Sequence, residues 1–446
     1  MILADGVILG AEEQPCLLDE LEDRINHTRE KERLDTETVI AAIDQLGRRL
    51  AAGEFDGLIE AVGLGDKMED LRSFTRLLSR DYLQRKVDVE LGAHWDVPTV
   101  TEAAFGLNGT HTRAVPLGTL FHVAAGNMDF LPAYTVVEGL LTGNVNLLKL
   151  PQADGGATIW TLQKLIDIEP RLRHFLYVFD TPSSDVATLR RLAAMADGIV
   201  VWGGEEAVRA ARSLAPPGVK LIEWGHRLSF AYLSGDWRAQ THQLTALANH
   251  IVRTEQLLCS SCQTIYLNTR DMTDIELFCE GFLPLLQAAR EQHPMEDIGA
   301  AAAITLKNMA SEIEAMMTGS AAEQPGKYRG RQCELTACED SELTVSELFG
   351  RVWVKRLPEA QLLPVLRRQK GCLQTAGLLC DERDRERLTD LLIRCGVNRV
   401  TTPGGMSDVM MGESHDGEYA LRRYIRMVNI EIPTAENHRT APSLNS

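Results

Sequence analysis

No stretch of this sequence is both long and apolar enough to cross a membrane as a helix. Its longest apolar run, Phe130 to Leu150, is interrupted by Glu138, Asn144, Asn146 and Lys149, whereas a span needs about 20 mostly apolar residues. Basic residues are in deficit: 46 Lys and Arg face 63 Asp and Glu, a formal charge of −17. So acidic a chain lacks the net basic face that phosphate-backbone binding requires, which excludes nucleic acid as the principal partner. An anionic small ligand then needs a local basic or helix-N-terminal site. Met1 to Gly10 carries Asp5 and no basic flank, so nothing there reads as a signal peptide. The nine cysteines are an odd number in a chain without such a signal, which fits reduced thiols in a cytoplasm. Cys259-x-x-Cys262 has no second Cys-x-x-Cys to complete it, and Cys333 and Cys338 are more widely spaced. That argues against the rival reading of the pair as a redox dithiol or half a metal site, and no metal is expected.

What is present is ordinary globular composition, 44% hydrophobic and 24% charged over 446 residues, enough for two or three domains. Asp35 is placed to cap a helix whose apolar face is Val39, Ile43, Leu46 and Leu50. A second helix is expected over Met68 to Arg85, and Trp95 to Thr112 reads as loop. From Arg113 onward apolar strands alternate with helices. Strand, helix and strand within Arg113 to Lys149 make a parallel crossover unit, and the alternation runs on through Leu228 to Leu233. This implies an α/β fold with doubly wound sheets of the nucleotide-binding type. Expected further on are helices over Ile298 to Met317, Pro358 to Gln369 and Glu418 to Met427, and an exposed loop over Gly319 to Arg331. The tail from Ile432 reads as disordered or docked on another subunit.

The stretch Glu255-Gln-Leu-Leu-Cys-Ser-Ser-Cys-Gln-Thr-Ile-Tyr-Leu267 concentrates the chemistry. It sets Cys259 between an amphipathic helix and a strand, near the N–H groups of a turn or helix start, where the thiolate is favoured. The bland alternative is a buried small hydrophobe. Gly203 and Gly204, between the strand Ile199 to Trp202 and a helix, would let backbone approach a pyrophosphate. They serve equally as a tight turn, and the fuller G-x-G-x-x-G fingerprint is absent there.

Together these pieces resemble the aldehyde dehydrogenase superfamily, and within it the LuxC-type acyl-CoA reductase branch. The resemblance rests on Pro116-Leu-Gly-Thr-Leu-Phe-His-Val-Ala-Ala-Gly-Asn127, Gly143-Asn-Val-Asn-Leu-Leu-Lys149, Val201-Trp-Gly-Gly-Glu-Glu-Ala207 and Glu223-Trp-Gly225. It continues in Cys259-Ser-Ser-Cys-Gln263, with Cys262 where proline is usual, then Glu347-Leu-Phe-Gly350, Leu373-Gln-Thr375 and His415-Asp-Gly417. It implies a cofactor domain over 1–240 with N-terminal helices and a catalytic domain over 241–411. An oligomerisation element and a segment over 412–446, returning to the cofactor domain or a subunit interface, complete it. Cys259 would attack a thioester carbonyl, and Asn127 would donate to the oxyanion. Lys149 would hold the adenosine ribose of a nicotinamide cofactor, and Glu347 and Phe349 the nicotinamide ribose and ring. Glu223 matches the superfamily's general base, and His415 is a second candidate proton carrier or a structural turn. His226-Arg227 departs from the superfamily's Gly-Lys. The neutral Gln152, where NAD-preferring members often carry glutamate, points to NADPH, with NADH possible. The implied reaction is reduction of an acyl-CoA or carrier-bound acyl thioester to an aldehyde through an acyl-cysteine. An acyl-protein synthetase partner and a homo-oligomer go with it. The rivals are aldehyde oxidation on the same fold and a non-catalytic scaffold subunit.

Overall fold

The computed structural model describes residues 1–61, 63, 65, 68, 72, 74–101, 110–124, 130–152, 154–295, 297, 299, 301–306, 309–310 and 326–431. They form two units, Met1–Gly225 with Met410–Ser446, and His226–Val409.

The first unit opens with β1 (Ile2–Ala4) and β2 (Val7–Leu9), then α1 (Gln14–Lys31), α2 (Thr36–Ala51) and α3 (Arg80–Glu90). Asp35 caps α2 by accepting from the Thr38 N–H at 2.8 Å. Val39, Ile43, Leu46 and Leu50 are its buried face, as their spacing predicts. The helix expected over Met68 to Arg85 is broken. Ser79 is extended (φ −68°, ψ 146°) and caps α3, so a 3-10 turn, Thr75–Leu78, precedes a separate helix. A serine hydroxyl that captures a backbone N–H starts a helix more readily than it continues one. Leu71, within that expected helix, lies outside the described residues.

Next come β3 (Thr99–Thr101), inside the stretch read as loop, and β4 (Thr110–Pro116), which starts within it, and then β5 (Thr119–Val123) and α4 (Leu131–Leu141). They are followed by β6 (Val145–Lys149), α5 (Ala157–Ile168), β7 (Leu176–Phe179), α6 (Val186–Ala194), β8 (Gly198–Trp202), α7 (Glu205–Leu214) and β9 (Lys220–Trp224). The strand order is β2-β1-β7-β6-β5-β8-β9, with β5 to β9 parallel and β1 antiparallel to its neighbours. Every residue of β6 and β7 is buried, which is why these strands read as continuous apolar runs. The chain steps outward from β5 to β7, then returns to β8 and β9. Sheets of this kind bind ligands at the carboxyl ends of the strands beside such a reversal.

The second unit contains β10 (Leu228–Leu233), α8 (Thr241–Arg253), β11 (Cys262–Leu267) and α9 (Met272–Gln292). Then follow β12 (Lys327–Gly330), β13 (Cys333–Cys338), β14 (Arg351–Arg356), β15 (Leu373–Leu379), α10 (Glu382–Cys395) and β16 (Arg399–Thr401). Their order is β12-β13-β14-β11-β10-β15-β16. β10, which the sequence pattern runs on from the first sheet, pairs instead with β11 and β15. Strand periodicity carries no label of partner. β12 turns the end of the expected loop into a hairpin with β13. The helix expected over Pro358 to Gln369 is in short pieces, with only Leu362–Leu366 α-helical, since Pro364 offers no N–H. The helix expected over Ile298 to Met317 lies largely outside the described residues.

The chain then returns to the first unit. Glu418 to Met427 is not one helix but a turn, Ala420–Arg423, followed by β17 (Ile425–Glu431). β17 pairs antiparallel with β4, Ile425 against Pro116 through Glu431 against Thr110, a partner that helix-like spacing could not reveal. Residues from Ile432 onward lie outside the description. The return is held by one buried cation. Lys86 Nζ lies 2.6 Å from Glu90 and 3.0 Å from Glu138, all three buried. Glu90 accepts from the Leu421 N–H at 2.8 Å, and Tyr424 Oη donates to Glu138 at 3.4 Å. Burial works against the Lys86 charge, but Glu138 and Glu90 outweigh it and hold its pKa well above the ordinary value. Removing one partner of a buried pair costs ~3–5 kcal/mol, because uncompensated charge stays behind. Lys86→Met is expected to lower the unfolding free energy by that order, read as a fall in the urea midpoint. Arg209→Ala, which removes the exposed pair with Glu205, should cost less than ~1 kcal/mol.

Candidate active site

Cys259 sits exposed in the turn between α8 and β11, whereas Cys262 begins β11 and is fully buried. Burial pushes the Cys262 thiol up to about 12, and its Sγ donates to the Thr264 carbonyl at 3.4 Å. Cys262 is therefore a protonated core residue at neutral pH, and the exposed thiol of the pair is Cys259. The neighbouring helix end is the C-terminus of α8, and the cysteine turn leads into the strand β11 rather than into a helix start.

The turn is fastened on both flanks. Ser229 Oγ donates to the Cys259 carbonyl at 2.7 Å and itself accepts from the Thr375 N–H at 3.0 Å. This gives the Leu373-Gln-Thr375 motif a place beside the cysteine. Ser260 and Ser407 share a hydrogen bond of 2.7 Å. On the other flank the Phe349 N–H donates to the Glu255 carbonyl at 3.0 Å. The structure thus brings Cys259, Glu347 and Phe349 into one neighbourhood, at the amino ends of β10, β11, β14 and β15. Glu347 lies 2.5 Å from the guanidinium of Arg351, which is buried and 3.0 Å from Glu334. Phe349 is half-buried with φ 52°, and Gly350 follows with φ +80°. A Cβ on Gly350 would stand 2.9 Å from Arg290 Nη2, so both its φ and its space require glycine.

In the first unit Lys149, Gln152, Gly203, Gly204 and Glu223 lie at or just beyond the carboxyl ends of β6, β8 and β9. Lys149 ends β6 and donates from Nζ to Ser183 Oγ at 3.0 Å. Burial lowers its pKa against the pull of Asp180. Gln152 is exposed just beyond it. Gly203 and Gly204 link β8 to α7. A Cβ on Gly203 would meet Ala207 at 2.9 Å, while nothing lies within 4 Å of one on Gly204, so that backbone is approachable. Glu205 and Glu206 occupy the first turn of α7 and compete with an anion for its N-terminus. Lys149 and the open backbone at Gly204 fit the ribose and phosphates of a dinucleotide; the two glutamates add nothing to that fit.

Glu223 is held bidentately by Arg212, at 2.6 and 2.7 Å. That hydrogen bonding keeps its carboxyl below the ordinary range, so it is a weak base in this arrangement. The His415 ring lies 5.0 Å from the rings of both Trp202 and Trp224. Its backbone exchanges two 2.9 Å bonds with Glu418, so the residue is both a turn and a ring carried beside β8 and β9. Asn127 lies outside the described residues. Sequence reasoning gave no role to Gln256, Ser229 or Ser346, nor to the tryptophans around His415. The available signal was the pair Gln256 and Gln263 bracketing the cysteine, both buried.

The sequence model of the acyl-CoA reductase (LuxC) family matches residues 32–427. Among similar proteins is a long-chain acyl-protein thioester reductase of Photorhabdus laumondii, 25% identical over 370 residues, covering 82% of this chain and 73% of that protein. Another of that name, from Aliivibrio fischeri, is 21% identical over 432 residues, covering 93% and 84%. Among solved structures, lactaldehyde dehydrogenase of Escherichia coli superposes with a TM-score of 0.67 at 13% identity, covering 95% of this chain and 91% of that one. The last likeness shows the fold, an aldehyde dehydrogenase-like one. The family match spans most of the chain, and the chain belongs to the LuxC acyl-CoA reductase family.

Proposed function

We propose that this enzyme reduces an acyl thioester to an aldehyde through an acyl group carried on Cys259. The observation that carries the reading is the contrast within one turn: an exposed cysteine beside Glu347 and Phe349, and a buried, protonated one three residues on. The Cys259 thiolate adds to the thioester carbonyl. Asn127 donates to the developing oxyanion, which collapses with loss of the CoA or carrier thiolate to leave an acyl-cysteine. A nicotinamide dinucleotide, when bound, supplies the hydride that turns this thioester into a thiohemiacetal. Collapse of the thiohemiacetal releases the aldehyde and returns the Cys259 thiolate. By the resemblance, Lys149 and the backbone at Gly203 and Gly204 would hold the dinucleotide's ribose and phosphates, and Glu347 and Phe349 its nicotinamide end. His415 moves protons, while Glu223 stays in its ion pair with Arg212.

That pair argues for the reducing direction. Aldehyde oxidation needs a base to activate water on the acyl-cysteine, and a carboxylate already accepting two guanidinium bonds serves that purpose poorly. The acyl donor is a CoA ester or an acyl group on a partner such as an acyl-protein synthetase. A homo-oligomer fits the exposed Met427 and Ile430 of the edge strand β17.

Intact-protein mass spectrometry after incubation with a panel of acyl-CoAs tests the reading directly. Cys259→Ala is expected to abolish both acyl attachment and turnover, and Cys262→Ala to keep the attachment; equal loss in both would sink the assignment. Asn127→Ala should lower turnover by a factor on the order of 10²–10³ with the fold kept, as for loss of one oxyanion donor.

NADPH is the proposed reductant. A carboxylate at the position of Gln152 would repel a 2′-phosphate, and the amide does not. At a few ångströms the difference is worth ~1–4 kcal/mol, depending on the local dielectric. Gln152→Glu should therefore move the preference toward NADH in steady-state rates. Wild type strongly favouring NADH, with no response to the substitution, would refute this view of the pocket.

A further inference from the structure

Three buried polar side chains lie between the cysteine turn and the stretch that follows Val345. Gln256, Gln263 and Ser346 are 1%, 6% and 7% exposed. Gln256 Nε2 donates to the Cys262 carbonyl and to Ser346 Oγ, both at 2.9 Å, and its Oε1 accepts from the Gly350 N–H at 3.0 Å. Gln263 Nε2 donates to the Gln256 carbonyl at 2.8 Å. Gln263 Oε1 accepts from the Ser346 N–H at 3.0 Å and from its hydroxyl at 2.7 Å. Ser346 Oγ also accepts from the Leu348 N–H at 3.1 Å. Both amide hydrogens of Gln256, its oxygen, and the one donor and two acceptor sites of the serine hydroxyl are thus used.

The net binds two segments that hold non-glycine residues in the left-handed region. Glu255 and Gln256 have φ of 46° and 62°, and Leu348 and Phe349 have φ of 64° and 52°. Such conformations persist only where the surroundings over-determine them, and they gather at functional sites. Each segment closes a turn of its own, with the Leu257 N–H donating to the Thr254 carbonyl at 2.9 Å and the Arg351 N–H to the Leu348 carbonyl at 3.0 Å. The carboxamides and the hydroxyl tie these two turns to each other.

We infer that Gln256, Gln263 and Ser346 are positioning residues that lock the Cys259 turn and residues 346–350 into one mechanical body, so that a dinucleotide seated on Glu347 and Phe349 sets the presentation of the Cys259 thiol. This rests on the roles proposed above for Cys259, Glu347 and Phe349. None of the three touches substrate. Their substitution changes how one segment reports on the other, and not the chemistry of the thiol.

The test is the rate of Cys259 alkylation by iodoacetamide in the full chain, read at the Cys259 peptide by mass spectrometry, with and without saturating NADPH. Wild type should change rate at least about threefold on adding NADPH. In Ser346→Ala and Gln256→Ala the two rates should converge to within the error, and the double variant should be no worse than either single one, as for residues acting as a unit. A purely structural role would lower the melting temperature and leave the NADPH response intact, which would overturn the inference. Should either variant fail to fold, hydrogen exchange on the unaltered chain decides. NADPH should protect 256–263 and 346–350 together, and protection of one without the other refutes the lock. A wild type that gains an acyl group on Cys259 but shows no NADPH effect sinks the lock alone. Loss of acylation at Cys259 in the mass-spectrometric assay sinks the functional reading instead.

Discussion

A buried carboxamide must have its donors and acceptors matched, and much of the second unit's site follows from satisfying Gln256. An unmatched buried amide costs ~1–3 kcal/mol, and a non-glycine residue held left-handed costs roughly as much again. A single hydrogen bond returns only ~0.5–1.5 kcal/mol net. No one bond in the net therefore stabilises the geometry it imposes on Glu255, Gln256, Leu348 and Phe349. The bonds do so together, or the turn relaxes. This is the physical meaning of preorganisation here. The backbone that carries the exposed thiol is fixed from Ser229 on one flank and from Gln256 and Gln263 on the other.

The first unit solves a different problem, bringing a distant segment back onto a sheet that is already formed. Backbone pairing of β17 with β4 supplies direction but little selectivity, since edge strands accept many partners. Selectivity comes from Lys86, which needs two carboxylates, and from Glu90, whose second oxygen takes the Leu421 N–H. An ion group of this kind stabilises little against an apolar substitute, yet it penalises every arrangement that leaves a member unpaired. It thereby fixes where Tyr424 and the residues before it lie, and His415 is carried to the tryptophans of β8 and β9 within the same unit.

Local features of the fold were legible in the sequence, and partnerships were not. Asp35 announced its helix because capping and the 3.6-residue apolar spacing are local. The alternation from Arg113 onward announced a parallel α/β sheet because burial on both faces leaves continuous apolar strands. β10 gave no sign that it belongs with β11 and β15, and a helix-like spacing ending at Met427 hid the start of the strand Ile425–Glu431. In both, the deciding neighbour lies far along the chain. The site followed the same division. The junction at Cys259 could be read from its flanks, whereas the burial that separates Cys262 from it depends on where β11 sits in the sheet. Gln256 stood in plain view as a polar residue near a cysteine, but its role exists only once Ser346, far along the chain, is folded against it.

The direction of the reaction is argued from the same kind of constraint. A parallel sheet holds Glu223 on β9 and sets it against Arg212 on α7, with the Arg423 charge adding to the same pull. A bidentate guanidinium pair is among the strongest side-chain contacts available, and it lowers the carboxylate's affinity for the proton that a base must take. Activating water through Glu223 would require breaking that pair first, at a cost added to the barrier of hydrolysis. Reduction asks for no such step, because collapse of a thiohemiacetal needs only a proton acceptor for its hydroxyl. On the proposed reaction, the ion pair would raise the barrier to the wasteful attack of water on the acyl-cysteine and leave the productive step unchanged.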